Sequence, residues 1–144
     1  MGFVTDERIQ ASSIWLDDLS LSTVYLKNEA DFPWFILVPR EENIQEIYQL
    51  SPTNRQVLIE EIATISNLVN TLFKPDKLNV GALGNIVSQL HIHVVARFNG
   101  DKAWPHGIWQ SGMTATPYSK EVLQELVPSL RAKIGRAAIS TSEM

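Results

Sequence analysis

Apolar residues recur at helical spacing in one long segment of the chain. Ser51-Pro52 is typical of a helix N-cap followed by proline at the first helical position, and Lys74-Pro75 favours a helix end. Between these dipeptides the apolar positions repeat every three or four residues, and Glu60 and Glu61 fall outside this stripe, which predicts that they face water. The stripe consists of Leu58, Ile62, Ile65, Val69 and Leu72. The sequence therefore predicts a long amphipathic helix here.

Short runs rich in β-branched and aromatic residues predict four strands. Residues 23–27 and 34–38 flank a turn, which predicts an antiparallel hairpin, and residues 77–83 and 90–97 predict a second pair. Residues 99–117 have no period and contain several glycines and prolines, so they are predicted to form a long loop. Loops of this length in a compact domain are more often functional than idle.

Helices are also predicted near both ends of the chain. The N-terminal segment, residues 1–18, predicts a short helix capped by Thr5 or Asp6. Ser119 is suited to cap a last helix, and residues 137–144 are predicted to be a frayed tail. The apolar stripe of this last helix is Val122, Leu123, Leu126 and Leu130. No repeat or second domain is indicated, so residues 1–144 are expected to form a single domain.

Two of the three histidines lie one residue apart in the predicted strand 90–97. Side chains alternate between the two faces of a strand. One face is expected to carry the apolar row Leu90, Ile92, Val94 and Ala96. The other is expected to carry the polar row Gln89, His91, His93 and Arg97. At a rise of about 3.3 Å per residue the two imidazoles are expected about 6 to 7 Å apart, close enough for one phosphate or one metal ion to contact both.

Composition narrows the function classes. Twelve Lys and Arg against 16 Asp and Glu give a net charge of −4, and no cluster of basic residues is present, so a polymeric nucleic-acid partner is not expected. The absence of cysteine excludes disulfides, thiolate catalysis and cysteine-rich zinc sites. No apolar run reaches the roughly 20 residues of a membrane span. The expected location is cytoplasmic, with no membrane partner.

The residues around the histidine pair resemble the histidine triad (HIT) family of nucleotide-binding hydrolases and transferases, whose signature is three histidines alternating with hydrophobic residues. The aligned run is Gln89-Leu90-His91-Ile92-His93-Val94-Val95. Leu37-Val38-Pro39-Arg40 is similar to the family's strand that ends in a proline and a basic residue, and Gly84-Asn85-Ile86-Val87 to the glycine and amide before the motif. Trp104-Pro105 is similar to a downstream tryptophan-proline pair. The resemblance is to a divergent, bacterial-type member and implies an α+β fold, an antiparallel sheet of about five strands flanked by helices.

The resemblance also implies roles for individual residues. His91, at the middle motif position, would attack the α-phosphorus of a nucleotide and form a nucleotidyl-histidine intermediate, while His93 would bind the phosphate oxygens. Gln89 replaces the first histidine; it cannot carry a proton at neutral pH and would orient rather than titrate. Trp34 would form an apolar wall. The residues expected to contact the nucleotide are Asn28, Asn79, Gly84, Asn85, Ser88 and Trp104. This chemistry needs no metal ion or other cofactor.

Three functions stay open on this basis. The first is a hydrolase or nucleotidyl transferase acting on dinucleoside polyphosphates, nucleoside phosphoramidates or another adenylated small molecule. The second is a nucleotide-binding protein that has lost catalytic speed with the first histidine. The third is a metalloprotein in which His91 and His93 are two of three ligands. Its third ligand would have to be His106, Glu41 or Glu42.

A twofold homodimer is expected as the partner arrangement. Members of the resembled family commonly pair in this way, and C2 dimers are the commonest closed assembly. The loop that carries Trp104 and Trp109 is apolar enough to lie at the interface, where aromatic residues are enriched.

Overall fold

Five strands form one antiparallel sheet in the computed structural model, which describes residues 2–142 and the side chains of residues 2–138. The strands are β1 (Ser13–Asp18), β2 (Ser22–Lys27), β3 (Trp34–Pro39), β4 (Lys77–Gly81) and β5 (Ile92–Arg97). Their order across the sheet is β1-β2-β3-β5-β4. The helices are α1 (Glu7–Ala11), α2 (Pro52–Phe73) and α3 (Lys120–Ser142), with a short 3-10 turn at Ile47–Gln49. The predicted α+β fold is confirmed.

Helices α2 and α3 cover one face of the sheet. The helix α2 begins as predicted, with the Ser51 hydroxyl accepting a hydrogen bond from the Asn54 N–H at 3.1 Å. Its apolar stripe packs against the predicted apolar row of β5, together with Leu123, Leu126 and Leu130 of α3. Val122, which was predicted in the same stripe of α3, is 47% exposed. The fully covered residues include Leu58, Ile65, Val69, Leu130, Ile134, Val94 and Ala96. Burial of this face leaves the opposite face of the sheet available for a site.

The predicted strand pairs are confirmed. The strand β2 pairs with β3, and β4 pairs with β5, both antiparallel. The strand β5 also pairs with β3, so His93 is opposite Ile36 on one side and Gly81 on the other. Because β5 lies inside the sheet, His93 is held between two neighbouring strands, whereas Gln89 and His91 lie before the strand begins.

The N-terminal segment differs from the prediction of a helix through residues 1–18. Asp6 caps α1 as expected, its carboxylate accepting from the Arg8 N–H at 2.9 Å, but the helix ends at Ala11 and the next residues form β1. Pairing of β1 with β2 buries Leu16 to 1% exposure. Residues 13–18 therefore form a strand, because their apolar residues alternate with period two and β2 offers a free edge for pairing. The helical spacing of apolar residues in this segment is too weak to compete.

The helix α2 departs from the prediction at one acidic residue. Glu60 is exposed as expected, but Glu61 is only 7% exposed. Its two carboxylate oxygens accept hydrogen bonds from the backbone N–H groups of Leu21 at 2.8 Å and Ser22 at 3.0 Å. Burial raises the pKa of Glu61, and these hydrogen bonds partly oppose the shift. The turn between β1 and β2 thus obtains its acceptor from a distant helix.

The helix α3 extends further than predicted. Ser119 caps it, its hydroxyl accepting from the Val122 N–H at 3.2 Å. The helix runs to Ser142 and so includes residues 137–142, which belong to the segment predicted to be a frayed tail; residues 143–144 lie outside the described residues. Alanine has the highest helix propensity, and Ala138 packs against the core, which supports the extra turns.

Candidate functional site

A cleft of about 530 Å³ opens on the face of the sheet opposite α2 and α3. Its floor is formed by β2, β3 and β5, and its walls by α1, by residues 83–87 and by the loop 99–117. The polar and aromatic side chains that line it include Arg8, Lys27, Trp34, His91, His93 and Trp109. The two histidines of the motif therefore lie in the same cavity, as predicted from their shared face.

The two histidine rings are in direct contact. Their centroids are 4.9 Å apart with an angle of 73° between the planes, and each residue is 8% exposed. The rings are closer than the strand rise predicted. His91 lies one residue before β5 begins, so its side chain is not held at the regular spacing of the strand.

The hydrogen bond at Nδ1 defines the tautomer of His91. This nitrogen lies 2.7 Å from the backbone carbonyl oxygen of Gln89. A carbonyl oxygen only accepts, so Nδ1 carries the hydrogen and donates it. In the neutral ring the free lone pair is therefore on Nε2, the nitrogen suited to attack an electrophile.

His93 has the opposite tautomer. The Trp34 indole Nε1–H donates to His93 Nδ1 at 2.9 Å, so this nitrogen is unprotonated and the neutral ring carries its hydrogen on Nε2. Burial, followed by the neighbouring charges of His91 and Lys27, lowers the pKa of His93 to about 3. His93 is thus a neutral hydrogen-bond donor at physiological pH, beside a ring that offers a lone pair.

Two tryptophans enclose His93. The ring centroid of Trp34 lies 5.6 Å from that of His93, and the centroid of Trp109 lies 5.5 Å away. Trp34 was predicted as an apolar wall, but the position of Trp109 over the histidine was missed. Only the packing of its loop reveals it, because the neighbouring Ile108 is buried against Phe32. The aromatic walls limit access of water to the histidine pair.

The predicted phosphate-binding turn lies at the cleft in part. Gly84 and Asn85 line it, and Gly84 has a φ of +74°, a left-handed conformation that favours glycine. Ser88 is exposed and is not among the lining residues. The structure therefore brings two of these three residues together with the histidines.

The other predicted nucleotide contacts lie elsewhere. Asn28 Oδ1 accepts from the Tyr118 N–H at 2.9 Å, and Asn79 Oδ1 accepts from the Arg97 guanidinium at 2.8 Å. The Trp104 ring lies over the same guanidinium, with its centroid 5.7 Å from the Arg97 Cζ. None of the three lines the cleft, and each side chain is engaged with another group of the protein.

Gln89 holds the N-terminal segment in place. Its Oε1 accepts from the Asp6 N–H at 2.8 Å, and its Nε2 donates to the Val4 carbonyl at 3.0 Å. These bonds join the first motif position to the start of α1, which supplies Arg8 and Ile9 to the cleft wall. The side chain therefore orients a neighbouring segment and is outside the set of lining residues.

Arg97, at the end of the predicted polar row, forms a structural salt bridge. The residue is 1% exposed, and its guanidinium donates to both carboxylate oxygens of Asp101 at 2.8 and 3.0 Å. The arginine lowers the pKa of Asp101 to about 2, assisted by three backbone N–H groups that donate to the same carboxylate. This pair fixes the start of the loop that carries Trp109.

Among the described side chains, no third metal ligand lies beside the histidine pair. Within residues 2–142 no group of three His, Asp or Glu side chains is arranged to hold a metal ion. His106 is exposed, and Glu41 accepts a hydrogen bond from Asn54 at 3.1 Å.

The same described part of the chain contains no helix long and apolar enough to cross a membrane.

Residues 8–100 match the sequence profile of the HIT domain. The chain belongs to the HIT family. A histidine triad protein from Bradyrhizobium japonicum is 36% identical over 93% of this chain and 99% of its own, with a TM-score of 0.87. One from Marinobacter aquaeolei VT8 is 38% identical over 97% and 98%, with a TM-score of 0.86. One from Sinorhizobium meliloti 1021 is 36% identical over 94% and 96%, with a TM-score of 0.84.

Among curated protein sequences, none matches this HIT protein significantly. The family match and the solved relatives therefore establish a nucleotide-binding fold of the HIT type. A more specific function depends on two neighbouring groups of the cleft, the lone pair on His91 Nε2 and the Nε2–H of the neutral His93 ring.

Proposed function

We propose that this HIT protein is a hydrolase or nucleotidyl transferase that acts at the α-phosphate of a dinucleoside polyphosphate or another adenylated small molecule. The single observation that carries the proposal is the hydrogen bond from His91 Nδ1 to the Gln89 carbonyl at 2.7 Å. It leaves the Nε2 lone pair free in the neutral ring. Beside it, His93 is neutral and supplies an N–H that can bind a phosphate oxygen.

The first step forms a nucleotidyl-histidine. The Nε2 lone pair of His91 bonds to the α-phosphorus, and the bond from phosphorus to the leaving group breaks with its electron pair on the leaving atom. The His91 ring becomes cationic, and its Nδ1–H makes a charge-assisted hydrogen bond to the Gln89 carbonyl. The neutral His93 donates to a phosphate oxygen rather than acting as an acid, because its pKa is about 3.

The second step releases a nucleoside monophosphate. A water oxygen bonds to phosphorus, the phosphorus–nitrogen bond breaks with its electron pair returning to Nε2, and one proton of the water passes to solvent. An acceptor hydroxyl in place of water would make the same reaction a transfer. No metal ion or other cofactor enters either step.

Contacts to the nucleotide are assigned from the cleft lining. Gly84 and Asn85 are proposed to contact the phosphate together with the backbone of their turn, and Trp34 and Trp109 to form the apolar walls. Ser88, Asn28, Asn79 and Trp104 are not proposed as contacts, since they lie away from the cleft or bind other groups.

A nucleotide-binding protein without turnover is the second candidate. It is favoured by Gln89 at the first motif position, because an amide cannot titrate and this one is already hydrogen-bonded to the backbone of Asp6 and Val4. A Gln89→His variant that releases monophosphate, when the wild type only binds it, would support this second function.

The proposal is tested by the variants His91→Ala and His91→Asn with a panel of adenylated substrates. Both are expected to abolish monophosphate release, and the wild type is expected to show a nucleotidyl adduct on His91 by mass spectrometry after a rapid alkaline quench, because the phosphorus–nitrogen bond hydrolyses in acid. The matched control is His106→Asn, at an exposed histidine outside the cleft. Wild-type rates in folded His91→Ala protein would contradict the proposal.

A homodimer is proposed as the assembly. The strand β4 forms one edge of the sheet, and the nearby side chains of Val80, Leu83 and Ile86 are 48%, 41% and 84% exposed. Pairing with the same edge of a second copy would satisfy the backbone groups and cover these side chains. Trp104, which is 36% exposed, is the residue of the loop available to such an interface.

The cytoplasmic location stays a prediction from composition.

A further inference from the structure

The cleft carries positive charge although the chain as a whole is acidic. Its lining includes Arg8, Lys27 and Lys102 but only one carboxylate, that of Glu29. The full chain has a net charge of −4. A local reversal of sign inside a concave site favours an anionic ligand.

Two of the three cations already have anionic partners. The Arg8 guanidinium lies 3.0 Å from the Asp6 carboxylate, and the Lys102 ammonium lies 2.6 Å from that of Asp31 and 3.7 Å from that of Glu29. The Glu29 carboxylate also accepts hydrogen bonds from the backbone N–H groups of Asp31 and Thr116. These charges are compensated within the protein.

Lys27 lacks such compensation. Within the described side chains no carboxylate oxygen lies within 4.0 Å of its ammonium, and its hydrogen bond is to the Ser12 hydroxyl at 3.1 Å. An ammonium has three donors, so two are left for a ligand or water. The side chain is half-buried, and burial lowers its pKa, opposed by the charge of Glu29. A half-buried cation without an anionic partner is costly unless a ligand supplies the counter-charge.

Lys27 and the histidine pair come from different strands of the sheet or the residues next to them. It ends β2, and its ammonium is 5.5 Å from the Trp34 ring centre; the same indole donates to His93. The strands β2 and β5 are separated by β3, and neighbouring strands are about 4.8 Å apart, so the two backbones are about 10 Å apart. Trp34 is therefore the neighbour that the two groups share, with Lys27 near its ring and His93 at its indole N–H.

We propose that Lys27 binds a second phosphoryl group of the substrate, distinct from the phosphate attacked by His91. The preferred substrates are then adenylated compounds that carry a further phosphate, either along the polyphosphate chain or on the ribose. This inference rests on the proposed function, because it takes the reacting phosphate to lie at His91.

The test compares the binding of AMP, ADP and adenosine 3′,5′-bisphosphate by isothermal titration calorimetry. A hydrogen bond to a charged group contributes at least about tenfold in affinity. Wild type is expected to bind ADP or the bisphosphate about tenfold more tightly than AMP. A preference for ADP places the second group on the chain, and a preference for the bisphosphate places it on the ribose.

The matched variants are Lys27→Met, which keeps the length of the side chain but removes its charge, and Lys27→Arg, which keeps the charge. Lys27→Met is expected to lose the preference, and Lys27→Arg to retain it, with thermal melting to verify that both fold. An equal loss of affinity for all three nucleotides in Lys27→Met, or no preference in wild type, would overturn the inference. If that happens while His91 still forms the adduct, the proposed function stands; if no nucleotide binds, both fail.

Discussion

Replacing Asp101 by asparagine tests how the cleft wall is held. The carboxylate accepts two hydrogen bonds from Arg97 and three from the backbone N–H groups of Phe98, Ala103 and Trp104. The Asp101→Asn change removes the charge and turns one acceptor oxygen into an NH₂ donor that faces other donors. Arg97 stays 1% exposed and loses its anionic partner.

The magnitude follows from the pKa of Asp101, which falls from 3.8 to about 2 in the folded protein. The side chain is only 7% exposed, so screening by water is small. At 1.36 kcal/mol for each unit of pKa, the interactions that favour the charged form contribute about 2 kcal/mol. Leaving a buried arginine unpaired raises the cost toward about 3 to 5 kcal/mol.

The sign of the pH dependence follows from the same shift. Because the folded pKa lies below the unfolded value, this stabilisation is present above about pH 4 and is lost as the pH falls toward 2. The difference in unfolding free energy between wild type and Asp101→Asn is therefore expected to narrow by about 1 kcal/mol between pH 5 and pH 3.

The assay is urea unfolding at pH 7, 5 and 3, with thermal melting at pH 7. A loss of about 2 kcal/mol corresponds to a decrease in Tm of at least about 6 °C for a chain of this length. Glu125→Gln is the matched control, since Glu125 is exposed. An Asp101→Asn protein as stable as the control, with the acid dependence of wild type, would refute the reasoning.

Three further predictions concern the site and the assembly. In NMR titrations the imidazole of His93 is expected to stay neutral between pH 8 and 5, because its pKa is about 3. The unfolded histidine titrates near 6.5, so this residue reduces stability as the pH falls below that value. Protonation of His93 between pH 8 and 5 would contradict the lowered pKa. Gln89→Leu is expected to lower the free energy of unfolding by about 1 to 3 kcal/mol in urea, because two hydrogen bonds to the backbone of the N-terminal segment disappear. The variant is also expected to bind AMP more weakly. Unchanged stability and affinity would rule out the orienting role of Gln89. Light scattering at micromolar concentration is expected to show a dimer for wild type and monomers for Val80→Asp. The variant Trp104→Ala distinguishes a contribution of the loop to the interface from a contribution of the β4 edge. A monomeric wild type with full nucleotide affinity would exclude the assembly.

Local pattern in the sequence was sufficient to predict the elements that carry the site. The long run of helical spacing between Ser51 and Lys74 is α2, and the alternation around His91 and His93 correctly separated a core face from a polar face. The spacing of apolar residues predicts helices and the faces of strands because side-chain direction repeats every 3.6 residues in a helix and every two in a strand. The family motif is also local, which is why membership was evident from the residues alone.

Long-range pairing decided what local pattern could not. The segment 13–18 becomes β1 because β2 offers an edge, and Glu61 is buried because a turn 40 residues earlier needs an acceptor. Gln89 binds a segment about 83 residues away in the chain, so its role is invisible in the motif itself. Such contacts depend on which elements become neighbours in space.

The sequence by itself determined that two histidines share one face of the sheet and that the chain belongs to the HIT family. The tertiary structure alone decided which nitrogen of each ring is free, that Trp109 rather than Trp104 encloses His93, and that Lys27 faces the cleft without an anionic partner. The physical reason is that tautomer, enclosure and charge compensation are each defined by the group on the other side of a contact, and that group comes from a distant part of the chain.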